Sequence, residues 1–330
     1  MEPIKGIIFR LFAVIFFVAM FAMVKATAGE VPTGQAVFVR SGVVLFVVVA
    51  WLISRSELSI GLRVKSVKGH FWRSLFGTGA LSLNFAALTF LPLPEITAIG
   101  YAAPLLTVLL AIWLLGEQVK MFRVSAVLLG ILGVAIIVEP RLTVFFDPDA
   151  DNAVAIGAAI VLMAAFCNAS AQIQISRLVR DEHPAAIAFY FAATSTFLAA
   201  LTSVFGWVAL SPAQAVLLIG CGICAGVGQI CLTLSYRYAP ASVVAPFEYS
   251  SILFALMVGY AVFGEIPSLQ MLIGVAIVVS AGFIIIWREA QLGIEGAKTR
   301  AMNHLTDPAT PSIDTEDASD GVDKDQAENA

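Results

Sequence analysis

The chain alternates between long apolar stretches and short polar connections. A helix rises about 1.5 Å per residue, so roughly twenty apolar residues cross the hydrocarbon core of a bilayer. Stretches of this length follow one another along the chain, and several connections contain proline, as at His183-Pro184 and Ser211-Pro212. The pattern predicts ten membrane-spanning helices, at residues 4–25, 35–54, 71–91, 95–115, 121–139, 153–175, 185–209, 213–236, 241–263 and 269–287.

The fourth and ninth predicted spans repeat one another. Residues 98–117 (AIGYAAPLLTVLLAIWLLGE) and 246–265 (PFEYSSILFALMVGYAVFGE) both end in Gly-Glu, and their offset of 148 residues aligns Tyr101 with Tyr249. Five spans per half is an odd number, so the second half enters the membrane from the opposite side to the first. We therefore expect two inverted five-helix repeats, an arrangement that many secondary transporters share.

The predicted fold is an all-α integral membrane protein with ten transmembrane helices in two inverted five-helix repeats. We expect the first repeat at residues 1–140, an outer linker at 141–152 and the second repeat at 153–289. After Gln291 the sequence becomes rich in Asp, Ala, Pro, Ser and Thr and poor in apolar residues. Such a composition cannot form a core, so residues 290–330 are expected to be a disordered acidic cytoplasmic tail.

The composition agrees with a protein embedded in lipid. Hydrophobic residues make up 59% of the 330 residues and charged residues 13%, whereas about 25% of a soluble domain is charged. The net charge of −4 arises from the tail, and no basic stretch suits a nucleic-acid partner. Cys221 and Cys224 have the spacing of a redox or metal pair, but without a further Cys or His nearby they are expected to be buried thiols.

Basic residues in the connections predict the orientation, because Lys and Arg concentrate on the cytoplasmic side. With the N-terminus inside, thirteen basic residues fall at the inner face: Lys5, Arg10, Arg55, Arg63, Lys65, Lys68, Arg73, Lys120, Arg123, Arg177, Arg180, Arg237 and Arg288. Three fall toward the outside, namely Lys25, Arg40 and Arg141. We expect a multi-pass protein of the inner (cytoplasmic) membrane with both termini in the cytoplasm.

Several motifs resemble a known family. Two five-helix halves whose fourth helices end in Gly-Glu are similar to the EamA-type ten-helix group of the drug/metabolite transporter superfamily. Residues 38–41 (FVRS) and 245–249 (APFEY) resemble a subset that includes riboflavin and S-adenosylmethionine uptake carriers. The resemblance covers about residues 5–288. It implies a substrate cavity between the halves, lined by helices one to four and six to nine.

The sequence contains no nucleophile elbow, phosphate-binding loop or metal cluster, so we expect no enzyme, no cofactor and no metal. The expected function is secondary active transport of a small metabolite across the inner membrane by alternating access. From the resembling subset, riboflavin uptake is the first expectation and S-adenosylmethionine uptake the second. An exporter of amino acids or drugs, and a non-transporting membrane scaffold or sensor, are the alternatives. The expected partners are the lipid bilayer, a small-molecule substrate and, in a possible homodimer, a second copy.

Glu248 is the candidate for proton coupling. It lies within the ninth predicted span, where its equivalent in the first half is Gly100. A charge near the middle of a bilayer costs at least about 2.5–3.5 kcal/mol, so such residues are commonly functional. The alternative is a carboxylate held by a neighbouring Tyr or Arg for structural reasons.

Other polar side chains inside predicted spans are candidates for substrate binding. Arg40 could bind a carboxylate or phosphate through its planar fork of donors. Alternatively, it could extend its charge to the membrane interface or pair with Glu95. Tyr101 and Tyr249 could form two walls around a planar substrate. The remaining candidates are uncharged amides, which could equally bind neighbouring helices: Asn84, Asn168, Gln172 and Gln229.

The two Gly-Glu ends are predicted to be structural joints. Gly116 and Gly264 can end a helix, because glycine readily adopts the left-handed conformation that a helix C-terminus requires. Glu117 and Glu265 follow, and a carboxylate suits the positive N-terminal end of a helix. We therefore expect each glutamate to bridge to the start of the next helix rather than to contact substrate.

Overall fold

A computed structural model of the chain describes residues 3–115, 121–142, 152–178, 182–239 and 241–306. Every regular element within these ranges is helical. The α-helices are α1 (Pro3–Lys25), α2 (Thr33–Ser54), α3 (Leu58–Gly61), α4 (Val67–Ala87), α5 (Leu93–Gly100), α6 (Ala102–Leu115), α7 (Met121–Leu142), α8 (Ala153–Leu178), α9 (Pro184–Ala200), α10 (Pro212–Tyr238), α11 (Ala241–Val244), α12 (Ser250–Phe263) and α13 (Leu269–Thr306). Two short 3-10 turns lie at Leu201–Phe205 and Ala245–Tyr249.

Each predicted span coincides with helical structure, and two of the spans are divided. The fourth consists of α5 and α6, and the ninth consists of α11, the 3-10 turn Ala245–Tyr249 and α12. Seven helical stretches of the described chain could each cross a membrane by length and composition. The shorter apolar helices Phe247–Phe263 and Leu269–Ile285 and the more polar α4 account for the other three predicted spans.

The helices pack as an inverted repeat requires. α1, the first span of one half, packs along α10, the third span of the other half. The reciprocal pair, α8 and α4, makes the equivalent contact. α2 packs against α9, its own counterpart, and the interrupted helices α5 and α12 also touch one another. The two halves are therefore interleaved, and their equivalent helices meet at the centre.

Glycines allow the closest of these approaches. Gly222 and Gly226 lie one turn apart on α10 and pack against Val43 and Val47 of α2. A Cβ atom at Gly222 would lie 2.5 Å from the Cβ of Val43, closer than real Cβ atoms approach. Small residues at this spacing let two membrane helices pack backbone to backbone. The glycines on α10 therefore fix the separation between one helix of each half.

Large apolar side chains cover much of the exposed surface. Phe46, Trp113 and Val216 have 78%, 80% and 69% of their surface exposed. A water-soluble protein rarely leaves such side chains exposed in contiguous patches, because they favour apolar surroundings. In a chain of membrane-spanning helices this surface is the one that contacts lipid.

The last helix is longer than the sequence pattern predicts. One compact unit of the structure ends at Ile286, and a second begins at Trp287. α13 continues to Thr306, beyond the predicted start of the tail at residue 290. Residues 289–301 (EAQLGIEGAKTRA) are rich in the helix formers Ala, Glu, Gln, Lys and Arg, which explains the extension. The rest of the predicted tail, 307–330, lies outside the described residues.

Candidate functional site

The fourth span of each half is interrupted at its centre. Between α5 and α6 the regular helix breaks at Tyr101, three residues before Pro104. Proline has no N–H to bond the carbonyl of Gly100, and its ring crowds that carbonyl. In the second half, the 3-10 turn Ala245–Tyr249 contains Pro246 at its start and ends at Tyr249. The two breaks therefore fall at positions equivalent by the repeat.

The two breaks are joined by the hydroxyl of Tyr101. It donates to the backbone oxygen of Tyr249 at 3.2 Å and accepts from the N–H of Ile252 at 3.2 Å. It also lies 2.6 Å from the hydroxyl oxygen of Ser251. A single buried tyrosine thus satisfies backbone groups that the interrupted helix leaves without partners. The contact links the halves at the point where their helices are discontinuous.

The two tyrosine rings are in direct contact with each other. The centroids of Tyr101 and Tyr249 are 5.2 Å apart and the rings are tilted by 52°. A planar ligand between two rings requires a larger gap, because each stacked layer needs its own van der Waals thickness. Tyr249 also stacks on Phe283 and fills the space left by Gly282. In this conformation the two rings therefore leave no room for a planar ligand between them, and their contact with substrate stays a prediction.

Glu248 pairs with an arginine of the first helix. The Nη2 of Arg10 lies 2.7 Å from the Oε2 of Glu248. The side chain of Arg10 is 5% exposed and that of Glu248 is 57% exposed. The structure therefore supplies the arginine partner that the structural alternative required. Arg10 was counted as an inner-face residue, although its position inside a predicted span already marked it as a buried charge.

Arg40 is buried and does not pair with Glu95. Its guanidinium carbon lies 6.0 Å from the centre of the Phe191 ring on α9. Glu95 instead accepts from Arg141: Nε of Arg141 lies 3.1 Å from one carboxylate oxygen, and Nη2 forms an ion pair with the other. The expected alternative, an Arg40–Glu95 pair, is therefore wrong.

Glu265 joins three helices. Gly264 ends α12 with a φ of 67°, and the N–H of Glu265 donates to the Gly259 carbonyl at 2.9 Å. The carboxylate accepts from the N–H of Leu93, the first residue of α5, at 3.0 Å. Its other oxygen lies 2.5 Å from Nζ of Lys25.

This geometry differs from a bridge between consecutive spans. The helix start that Glu265 reaches belongs to the other half of the repeat, and its cation comes from the end of α1. A carboxylate at the positive end of α5 is electrostatically favourable. Gly264 and Glu265 therefore lie in a charged cluster with Lys25, near the Glu95–Arg141 pair. Gly116 and Glu117 lie outside the described residues.

A comparable contact lies at the other end of the helices, opposite Glu265. The backbone N–H groups of Lys65 and Ser66 donate to Oε1 of Glu182 at 2.7 and 2.8 Å. The Nε2 of His70 lies 3.5 Å from Oε2 of the same carboxylate. Burial alone raises the pKa of Glu182, but these amide hydrogen bonds and His70 outweigh burial and lower the pKa below its ordinary value. Glu182 thereby ties the α8–α9 connection to the start of α4.

The inverted repeat places Gln35 in the corresponding position. Its amide nitrogen donates to the Val208 carbonyl at 2.8 Å, and its oxygen accepts from the Val208 N–H at 3.1 Å. Gln35 begins the second span of one half, and Glu182 precedes the second span of the other. The equivalent connections are thus held by a neutral amide at one face and by a carboxylate at the other.

The four predicted amides are spread over helices α4, α8 and α10. Asn84 donates to the Ala80 carbonyl of its own helix at 2.8 Å. Asn168 and Gln172 lie on one face of α8 and are exposed, and Gln229 is half-buried on α10. Within the described part of the chain, no hydrogen bond joins these side chains to one another or to Arg40. Their role in substrate binding stays a prediction.

The fold and its interrupted, interleaved helices define an α-helical membrane transporter built from two inverted repeats. The EamA-like transporter family matches residues 4–139 and 155–287, so the chain belongs to that family. This confirms the predicted all-α membrane fold with ten transmembrane helices and the predicted resemblance.

Similar proteins include transporters with different named substrates. The chain is 25% identical to a pseudopaline exporter of Pseudomonas aeruginosa, over 84% of this chain and 94% of that protein. It is 26% identical to a riboflavin transporter of Vibrio cholerae, over 87% and 94%. It is 24% identical to an S-adenosylmethionine uptake transporter of Rickettsia prowazekii, over 61% and 66%. A crystal structure with a TM-score of 0.61 and 18% identity, covering 87% of this chain and 98% of the other, shares the fold.

Proposed function

We propose that this transporter is a secondary active carrier that moves a small metabolite across the inner membrane by alternating access. The observation that carries the proposal is the pair of interrupted helices that meet where Tyr101 bonds Tyr249 and Ser251. Discontinuous helices at equivalent positions of inverted repeats mark the substrate region of many secondary transporters. Breaks of this kind let the two halves change their relative orientation while the helices within each half stay packed together.

The contacts at the two membrane faces support this mechanism. Glu265 and Lys25 hold helix ends together at one face, and Glu182 holds the start of α4 at the other. Alternating access requires contacts that close each face in turn. We propose that these carboxylate contacts are made and broken as the halves rock, with both termini in the cytoplasm.

Riboflavin uptake is the first substrate proposal and S-adenosylmethionine uptake the second. A riboflavin transporter and an S-adenosylmethionine uptake transporter are among the similar proteins, at nearly equal identity. The test is uptake of each radiolabelled compound by cells that lack their own carrier, with empty-vector cells as the control. Uptake above the control supports the corresponding substrate, and uptake equal to the control for both compounds removes both.

Export is the second candidate, and similarity to a pseudopaline exporter favours it. Expression that protects cells against a toxic amino-acid analogue supports export. A non-transporting scaffold or sensor, with its partners bound to the tail, is the alternative of another class. Deletion of residues 291–330 separates the two: transport that survives the deletion excludes the scaffold. A homodimer remains a prediction.

Glu248 is proposed as the coupling acid. It lies in the 3-10 turn of the interrupted ninth span, and 57% of its side chain is exposed. Its partner Arg10 lies on α1, a helix that packs against both α10 and α12. Movement of α1 relative to the turn would separate Arg10 from Glu248 and leave the carboxylate free to accept a proton.

A further inference from the structure

Two arginines from different helices converge on one aromatic ring. Arg40 of α2 and Arg73 of α4 both point at Phe191 of α9, with guanidinium carbons 6.0 and 3.7 Å from the ring centre. Arg40 is only 8% exposed. The arginines belong to one half of the repeat, and the ring belongs to the other. The cluster of Arg40, Arg73 and Phe191 therefore lies at the contact between the halves.

The donors of both guanidiniums lack acceptors among the described residues. Nε and Nη1 of Arg40 and Nε and Nη1 of Arg73 are buried and make no hydrogen bond. The acids identified above are engaged elsewhere, in the pairs Glu95–Arg141, Glu182–Ser66, Glu248–Arg10 and Glu265–Lys25. Contact with the Phe191 ring attracts a cation but accepts no hydrogen bond in the plane of the guanidinium.

An unpaired buried charge is costly, and two like charges beside one another are more so. Proteins keep such an arrangement where a ligand supplies the missing charge. Here four enclosed guanidinium nitrogens have no hydrogen-bond acceptor in the described chain. An anion that entered between the two arginines would neutralise both and accept hydrogen bonds from their planar forks, a geometry suited to carboxylate and phosphate.

The surroundings preserve this arrangement. At Gly77 on α4, a Cβ atom would lie 2.4 Å from Nη1 of Arg73 and 2.8 Å from the Phe191 ring. Glycine therefore leaves the space in which Arg73 stacks on the ring. Further along the same two helices, the hydroxyls of Thr78 and Ser195 form a buried hydrogen bond at 2.7 Å. The α4–α9 contact is thus polar and closed to lipid at this level.

We propose that the cluster of Arg40, Arg73 and Phe191 binds an anionic group, carboxylate or phosphate, of the transported metabolite. This proposal deepens the proposed function and rests on it; of the two proposed substrates it favours S-adenosylmethionine, which carries a carboxylate, over riboflavin, which carries neither group. The anion bridges arginines of one half while the aromatic ring of the other half holds their planes in place. Binding there links the two halves through the substrate itself, which is what couples a substrate to the rocking motion of a carrier.

The first test compares acids with their neutral counterparts on the purified full-length protein. Nicotinate against nicotinamide probes a carboxylate, and flavin mononucleotide against riboflavin probes a phosphate. A compound that binds the folded state raises the melting temperature, and at a given concentration a tighter-binding compound raises it further. The proposal predicts that at least one acid stabilises the wild type at concentrations roughly tenfold or more below its neutral partner. Equal effects of acid and neutral compound in both pairs would overturn it.

Variants assign the effect to this cluster. Arg40→Gln and Arg73→Gln remove the charges, and Gly77→Ala crowds the Arg73 stack while keeping both arginines. Each is expected to lose the preference for the acid. Gly79→Ala, whose Cβ would meet only Cys167 at 3.8 Å, is the matched helix control, and exposed Arg63→Gln is the charge control. An unchanged preference in the arginine variants that fold, or in Gly77→Ala, overturns the proposal.

Failure of this site and failure of the proposed function give different results. If the wild type transports a labelled substrate but shows no preference for acids, the anion site is wrong and the carrier stands. If acids bind but reconstituted wild type moves no labelled acid across the membrane, the site stands and the transport function is wrong.

Discussion

The hydroxyl of Tyr101 hydrogen-bonds the backbone oxygen of Tyr249, its own counterpart 148 residues later. Equivalent positions of the two halves are thus in contact, at the two places where a membrane helix is interrupted. Because the same hydroxyl accepts from the N–H of Ile252, one side chain serves backbone groups of the opposite half. The two halves are therefore joined by a contact that the inverted symmetry itself creates.

Tyr101→Phe is expected to weaken this joint. The variant removes only the hydroxyl and leaves the Ile252 N–H without its partner, which costs about 1–3 kcal/mol in the free energy of unfolding. Denaturant unfolding in detergent measures the loss. Tyr260→Phe is the control, because Tyr260 is 67% exposed and the hydrogen bonds of the joint involve Tyr101, Tyr249, Ser251 and Ile252 instead. Equal stability of the two variants would contradict the role given to Tyr101.

Glu265→Gln is expected to destabilise one membrane face. It leaves Lys25 without its carboxylate, and removing one partner of a buried pair costs about 3–5 kcal/mol. The side chains of Lys25 and Glu265 are 13% and 14% exposed, so screening by water is limited. The double variant Lys25→Met/Glu265→Gln should recover part of the loss, as a double-mutant cycle by thermal unfolding would show.

Glu30→Gln provides the control for that cycle. Glu30 is exposed and accepts a hydrogen bond from Gln214 that a glutamine can also accept. Its replacement should change stability by less than about 0.5 kcal/mol. If Glu265→Gln costs no more than this control, the Lys25–Glu265 pair does not hold the helix ends together.

Glu182 should make stability depend on pH at the opposite face. Its pKa in the folded protein lies below the ordinary value of 4.5, so the carboxylate stabilises the fold at pH above 4.5. That contribution is lost as the pH falls through the lowered folded value. The melting temperature of the wild type should therefore fall more steeply below pH 4.5 than that of Glu182→Gln. Parallel curves would show that Glu182 is not the group responsible.

Gly222→Ala should separate α10 from α2. A methyl group at Gly222 collides with Val43, and overpacking of this kind typically costs about 1–3 kcal/mol. The matched control is Gly42→Ala on α2, where a Cβ atom would meet nothing within 4 Å. In thermal unfolding, the melting temperature of Gly222→Ala should be lower than that of the wild type, and that of Gly42→Ala should equal it. The reverse order is incompatible with close packing at Gly222.

Glu248→Gln tests whether Glu248 couples a proton gradient to substrate accumulation. If Glu248 carries the proton, the variant should lose gradient-driven accumulation of substrate in reconstituted vesicles while it still exchanges substrate across the membrane. Glu248→Asp, which keeps the charge, should retain part of the accumulation. Full accumulation by Glu248→Gln would leave Glu248 only its structural role as the partner of Arg10.

The hydrophobic pattern predicts the spans, because each span must bury about twenty apolar residues in lipid. The similarity between residues 98–117 and 246–265 predicts the repeat. Contacts between spans could not be predicted in the same way. Glu265 has no basic neighbour in sequence, yet Lys25 reaches it because α1 ends beside α12. Tyr101 and Tyr249 were expected to flank a ligand, but the repeat brings them into contact.

Arg73 shows what the sequence could have revealed. It was assigned to the inner face, although it lies inside the predicted span 71–91. A charge within a span needs a partner or a function. What the sequence could not show is that Arg40, on another helix, approaches the same ring of Phe191.

The central claim is that a buried site between the halves opens to each side of the membrane in turn. Accessibility of Phe191→Cys to a membrane-impermeant thiol reagent tests it most directly, in a background where Cys167, Cys221, Cys224 and Cys231 are replaced and uptake is retained. We expect labelling both in spheroplasts and in inside-out vesicles, while vesicles keep a trapped dye and lipid-facing Phe46→Cys stays unlabelled. Labelling from one face alone, under every substrate condition, would contradict it.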